Sequence, residues 1–303
     1  MRDAAEADLS GRLAADMAAF LDPGLDLAEE ALSPEEAKRY LAWCARVHGE
    51  GNLDLVPFAE FFVECDPGGL KYLRRHTAQI GLPIEAAVLM WAHTYCVLGS
   101  SKGVLYEVIA ARELGIDRSQ MIDVLRCAGY VAGPYALNAA GELTLPYLRS
   151  WPTSEKSSAD PVWPSGWAPD PDAFSAGIDH ATDNLTDLEL TRIVEWHEST
   201  YGEMPASLRL AAESNRAAYK LARIRFERIA CSSLPAQLFP LLLLHSAVVR
   251  DRAVEAKRAL QLALSVGVEW AVLLKVAHWA AVLGGEVALE RALQVFVEVE
   301  DQR

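Results

Sequence analysis

Apolar residues recur along this chain every three to four positions, and no alternating apolar-polar run persists, so the pattern predicts helices nearly throughout. The starts and stops are marked. Ser33-Pro34-Glu35-Glu36 reads as an N-cap, a proline at the first helical position and a capping-box glutamate. Thr186 to Glu189 repeats the capping box further on. Pro83 and Pro235 open long apolar helices, and Pro240, inside the second, is expected to kink or restart it. Gly99-Ser100-Ser101 reads as a break with Ser101 capping the next helix. Gly115 and Gly267 suit helix C-caps, and Asp117 and Glu269 begin helices that run to Gly133 and Gly285. The fold class is all-α, with six or seven helices in each half of the chain.

The halves emerge when the sequence is slid against itself. At an offset of 153, Gly24, Asp26, Leu32, Glu36, Arg39 and Trp43 fall on Gly177, Asp179, Leu185, Glu189, Arg192 and Trp196. At an offset of 152, the match runs from Leu82 to Ala140 without a gap and pairs His93 with His245, Gly115 with Gly267 and Gly133 with Gly285. The stretch between these blocks does not align. The matched regions are 18–149 and 171–300, which divides the chain into a first half, 1–149, a linker, 150–172, and a second half, 173–303. Copies of one unit are expected to pack around a pseudo-two-fold axis over a shared apolar face. The linker is rich in Pro and Ser, which favours extended structure. It also carries Trp151, Trp163 and Trp167, whose apolar rings should tuck against the halves.

Composition narrows the function. Of 303 residues, 51% are hydrophobic and 23% charged, enough for a sizeable core. The 42 acidic residues against 28 basic give a formal charge of −14, which argues against nucleic acid and anionic membrane surfaces as partners. Five cysteines with no CxxC pair read as reduced thiols, the acidic N-terminus shows no signal peptide, and no stretch resembles a membrane span, so a cytoplasmic location is expected. The seven histidines form no HExxH motif and no i,i+3 or i,i+4 pair, so no metal site is expected. GSSKG lacks a preceding strand and is not a phosphate-binding loop.

The segment from Ala110 to Glu142, AARELGIDRSQMIDVLRCAGYVAGPYALNAAGE, resembles the carboxymuconolactone decarboxylase and alkylhydroperoxidase D-like superfamily, and its partner from Ala263 to Val295 is similar. Both show a helix ending in Gly, an acidic-capped helix, a small-residue turn and an A-L-x-x-A helix, over about 60 residues of each half. The resemblance implies an all-α unit that assembles into homo-oligomers. The peroxidase branch of that superfamily carries C-x-x-C-x-x-x-H on the helix before the Gly. Here those positions hold Ser100, Gly103 and Glu107 in one half and Arg252, Glu255 and Ala259 in the other. The dithiol is missing, which excludes thiol-peroxidase chemistry. The decarboxylase branch does not depend on it.

The region of the missing motif remains the natural pocket, and the first half is preferred because Gly99, Ser100, Ser101 and Gly103 are small. Its candidates are His93 as the general acid or base, Lys102 as a base or amine, and Tyr106 as the donor to a developing oxyanion. Tyr95, Cys96, Ser100, Glu107 and His245 are candidate substrate contacts. The plain alternatives are a solvated Lys102, a core Tyr106, and a structural hydrogen bond at His93 and His245. In the second half, Arg250 or Arg252 could take a carboxylate, or the cluster with Asp251 and Glu255 could be a solvated helix start. The expected function is a cofactor-free enzyme acting on a small-molecule substrate by acid-base chemistry, of decarboxylase/lyase or isomerase type. The alternative is a degenerate, non-catalytic member of that superfamily that holds a ligand or scaffolds a partner. A cavity of about 300 Å³ or more joining His93 to Tyr106 and Lys102 would favour an enzyme or ligand binder over a scaffold.

Overall fold

The computed structural model describes residues 24–49, 56–151 and 163–301. The N-terminal stretch read for a signal peptide and most of the Pro- and Ser-rich linker lie outside these residues. Within them the chain is all-helical. The first seven helices are α1 (Pro34–Gly49), α2 (Val56–Cys65), α3 (Pro67–Ile80), α4 (Ile84–Leu98), α5 (Ser101–Glu113), α6 (Arg118–Ala132) and α7 (Pro134–Ser150). The next seven are α8 (Asp187–Tyr201), α9 (Ala206–Ser214), α10 (Arg216–Ala230), α11 (Leu238–Val249), α12 (Ala253–Ser265), α13 (Trp270–Gly284) and α14 (Glu286–Glu300). No described helix is long and apolar enough to cross a membrane.

The local signals act much as their chemistry dictates. Gly99 turns left-handed at φ 77° to end α4, and Gly115 does so at φ 85° just past α5. Two details differ from the sequence reading. Ser100, not Ser101, caps α5 and accepts from the Gly103 amide. Pro240 falls in the first turn of α11, where no amide is needed, so it neither kinks nor interrupts the helix.

The apolar helices α4 and α11 pack against each other at the centre. α5, α6 and α7 surround α4, and α12, α13 and α14 surround α11. Across the middle, α3 leans on α13 and α10 on α6. One continuous core results. In it Trp279 stacks on Trp91 with ring centroids 4.4 Å apart, and its indole N–H donates to the Ala87 carbonyl at 3.2 Å. Trp151 is buried, and Trp163 and Trp167 are partly buried against the same core.

One construction occurs twice. The Glu36 carboxylate, at the start of α1, accepts from the backbone amides of Asp26 and Ser33 at 2.7 and 2.8 Å and pairs with the buried Lys71 ammonium at 3.0 Å. Glu189, at the start of α8, accepts from the amides of Asp179 and Thr186, both at 2.9 Å, and pairs with Lys220 at 2.8 Å. These bonds to the charged form hold both carboxyls down at about 2. Arg39 donates to the Gly24 carbonyl and Arg192 to the Gly177 carbonyl, at 2.9 and 2.7 Å. Lys71 and Lys220 complete the construction from the stretch that does not align in sequence.

Candidate functional site

The first-half candidates do not converge. Lys102 is exposed on the first turn of α5. His93 is fully buried on α4, neither ring nitrogen has a partner at good hydrogen-bond geometry among the described residues, and burial with the Arg250 charge pushes its imidazole down to about 3 against the pull of the Cys127 backbone. Its counterpart His245 is equally buried, held at 2.7 Å by the Thr94 hydroxyl, and also pushed down to about 3, chiefly by burial. Ser246 aligns with Thr94 at the 152 offset, yet its hydroxyl donates to its own helix at the Leu243 carbonyl, 3.2 Å away.

Of the small residues of the first half, Gly103 leaves no room beside it, whereas Gly99 is open. A Cβ on Gly103 would sit 2.5 Å from the Tyr95 ring, so that ring occupies the space. Cys96 donates to the Ala136 carbonyl at 3.1 Å, and burial pushes its thiol up to about 12, so it offers no thiolate. The five cysteines are free. Ser100 is used as a cap. Burial drives the Tyr106 hydroxyl well up.

Glu107 fills what is left. It is fully buried, neither carboxylate oxygen has a hydrogen-bond partner, and burial drives its carboxyl well above the usual range, so it is held protonated. A buried polar group without a partner costs about 1–3 kcal/mol. Glu107→Met keeps the volume and removes that cost, so it is expected to stabilise the protein by about that amount. A rise in thermal midpoint at pH 7 checks this, and a fall would show that Glu107 has a partner worth keeping.

The second half holds open space. A cavity of about 450 Å³ lies between α8, α10, α11 and α12, reached by the end of α6. None of His93, Tyr95, Cys96, Ser100, Lys102, Tyr106, Glu107 or His245 lines it. At the 152 offset, Glu255, Arg258 and Ala259 of its wall align with Gly103, Tyr106 and Glu107. The sequence reading preferred the first half, and this cavity lies in the second. At that offset Ala247 and Ala259 stand for Tyr95 and Glu107, and of the two Ala259 lines the cavity.

Three basic side chains give the cavity its chemistry. His197, on α8, is buried with Nδ1 unpartnered, and its ring meets Trp196 at 5.0 Å and Tyr201 at 5.6 Å. Burial first, then the Arg223 and Arg258 charges, push it down to about 4, so it is neutral at pH 7. Arg223, on α10, is held on three sides. It donates to Glu227 at 2.7 Å and to the Phe174 carbonyl at 2.6 Å, and its guanidinium lies 3.9 Å over the Trp196 ring. Arg258, on α12, is exposed at the rim and has no carboxylate partner among the described residues. Aromatic walls complete the space: Trp196 meets Tyr201 and Phe226 edge-on, both at 5.6 Å, and Tyr130 reaches in from α6. Burial raises the hydroxyls of Tyr130, Tyr201 and Tyr219, keeping them protonated as donors.

The sequence reading missed His197, Arg223 and Arg258. Arg250 and Arg252, its candidates for a carboxylate, do not line the cavity; Arg250 pairs with Glu255 at 3.4 Å and Arg252 is the N-cap of α12. His197 did carry a signal, since it follows Trp196, which aligns with Trp43. Among the described residues no group of histidine, cysteine and carboxylate side chains could hold a metal ion. No protein-family model, curated protein or solved structure matches the chain.

Proposed function

We propose that this chain performs acid-base chemistry on a small organic molecule in the cavity of its second half, as a lyase or isomerase. The observation that carries this is His197: a neutral imidazole in the wall of a cavity of about 450 Å³ that also presents two guanidiniums and protonated tyrosines. A proton taken by His197 from a carbon next to a carbonyl would leave an enolate. The electrons of the broken C–H bond would move onto oxygen, where Arg258 or a tyrosine hydroxyl can hold them. Where that carbon also adjoins a C=C bond, the anion is a dienolate, and returning the proton to its far carbon shifts the double bond into conjugation and completes an isomerisation.

We also propose that the chain is a tandem copy of one helical unit of the carboxymuconolactone decarboxylase-like kind. The recurring Glu36–Lys71 and Glu189–Lys220 caps, and the reciprocal packing of α3 on α13 and α10 on α6, support that reading. On it, the second copy keeps the working pocket and the first has filled its own.

A second reading rests on one fact. An imidazole held near 4 is a weak base until an anion beside it raises it, which suits a protein that holds a ligand without turning it over. Incubating the purified protein and its His197→Gln variant with a metabolite extract separates the two. The enzyme reading expects a compound consumed by the native protein and about 10²–10⁴-fold more slowly by the variant. Equal consumption by both would overturn the role of His197, and retention of a compound without consumption would favour the binder.

A further inference from the structure

We infer that this cavity takes a flat aromatic monocarboxylate, with Arg258 holding the carboxylate at the rim and the ring lying among Trp196, Tyr201 and Phe226. The inference rests on the reading of the cavity as the working site and names its ligand class.

Charge counting carries the anion. The walls hold Arg223, Arg258 and Glu255 as their charged members. Arg223 is already matched, since Glu227 pairs with it at 2.7 Å while also accepting from the Ala176 amide at 2.9 Å. Glu255 is met by Arg250. His197 is neutral and adds no charge. Among the described residues that leaves one unbalanced cation in the wall, Arg258, in a chain whose formal charge is −14. A carboxylate of single charge completes the set with charge-assisted hydrogen bonds to the guanidinium. A second negative charge would meet the Glu255 carboxylate with no cation left for it.

Shape and surface carry the ring. The interior is walled by rings from three helices: Trp196 and Tyr201 on α8, Phe226 on α10 and Tyr130 on α6. Trp196 meets Tyr201 and Phe226 at interplanar angles of 80° and 65°. This edge-to-face arrangement extends naturally to one more flat ring. The volume of about 450 Å³ suits an acid of one or two fused rings and lies within the range of small-molecule sites. His197 stands in the same wall, its ring 5.0 Å from Trp196 and 5.6 Å from Tyr201.

Calorimetric titration of the whole chain at physiological ionic strength tests this with three probes: 2-naphthoate, its uncharged match 2-naphthamide, and naphthalene-2,6-dicarboxylate. The acid is expected to bind about tenfold or more tightly than either of the others. Arg258→Gln, at an exposed position that should not disturb folding, is expected to weaken 2-naphthoate about tenfold and leave 2-naphthamide unchanged. An unchanged helical circular dichroism spectrum confirms that the variant is folded. Equal affinity for acid and amide, or a loss of both in Arg258→Gln, would overturn the carboxylate contact. Tighter binding of the dianion would overturn the charge count, and binding of none of the three would overturn the aromatic class. In each of those cases, consumption of a metabolite that depends on His197 would still stand for the cavity as the working site.

Discussion

Lys220→Met is expected to destabilise the protein by about 3–5 kcal/mol. The Lys220 ammonium is fully buried and makes three contacts: Glu189 at 2.8 Å, the Asn184 carbonyl at 2.9 Å and the Thr182 hydroxyl at 3.2 Å. Methionine fills the space of the stem but supplies no charge. Glu189 would then sit buried with two backbone amides and no cation, and the Asn184 carbonyl would lose its donor. The pair itself need not be strongly stabilising against an apolar substitute; breaking one side of it is what costs. Lys71→Met should act alike through Glu36, because Lys71 also pairs with its glutamate, at 3.0 Å, and donates to a backbone carbonyl, that of Asp26, at 2.9 Å. Urea unfolding followed by circular dichroism reads both as lowered midpoints at unchanged slope. A loss below about 1 kcal/mol for both variants would show that the two caps are ordinary surface pairs.

The second large effect is acid sensitivity. His93 and His245 are held down to about 3 and His197 to about 4, each chiefly by burial. In the unfolded chain they take up protons near pH 6.5, whereas in the folded chain they do so much later. Their contribution is therefore complete above pH 6.5 and is lost as the pH falls toward 4 and then 3. Glu107 works in the opposite sense. Its carboxyl is raised in the folded state, so its penalty grows as the pH rises above the ordinary carboxyl value and shrinks on acidification. The three imidazoles alone take up between two and three protons on unfolding between pH 6 and 5, a slope of roughly 3–4 kcal/mol per pH unit, which Glu107 offsets in part. Chemical unfolding at half-unit steps of pH measures it. Glu107→Met should steepen the slope by about one proton. A flat profile from pH 6.5 to 5 would mean that the three imidazoles are solvated or paired.

The helices were legible because their punctuation is local. Pro34, Gly99, Gly115 and the Thr186–Glu189 box act through their own backbone and near neighbours. The pocket was not, because empty volume depends on what reaches across from other helices. Gly103 reads as room in the sequence, yet the Tyr95 ring covers it from α4. Glu107 reads as a polar contact, yet it is a buried plug, while the inconspicuous Ala259 opens the corresponding wall. Arg223 lies in the stretch where the offset changes, so its place beside Trp196 had no counterpart to mark it. The equivalent stack of Arg74 on Trp43, at 5.2 Å, becomes visible only in the fold.

The central claim is that the second-half cavity is where this chain meets its small molecule. A crystal structure of the chain grown with 2-naphthoate tests it most directly. The account predicts the rings against Trp196 and Tyr201, with the carboxylate within hydrogen-bond distance of Arg258. An empty cavity with the acid bound beside His93 and Tyr106 would contradict it.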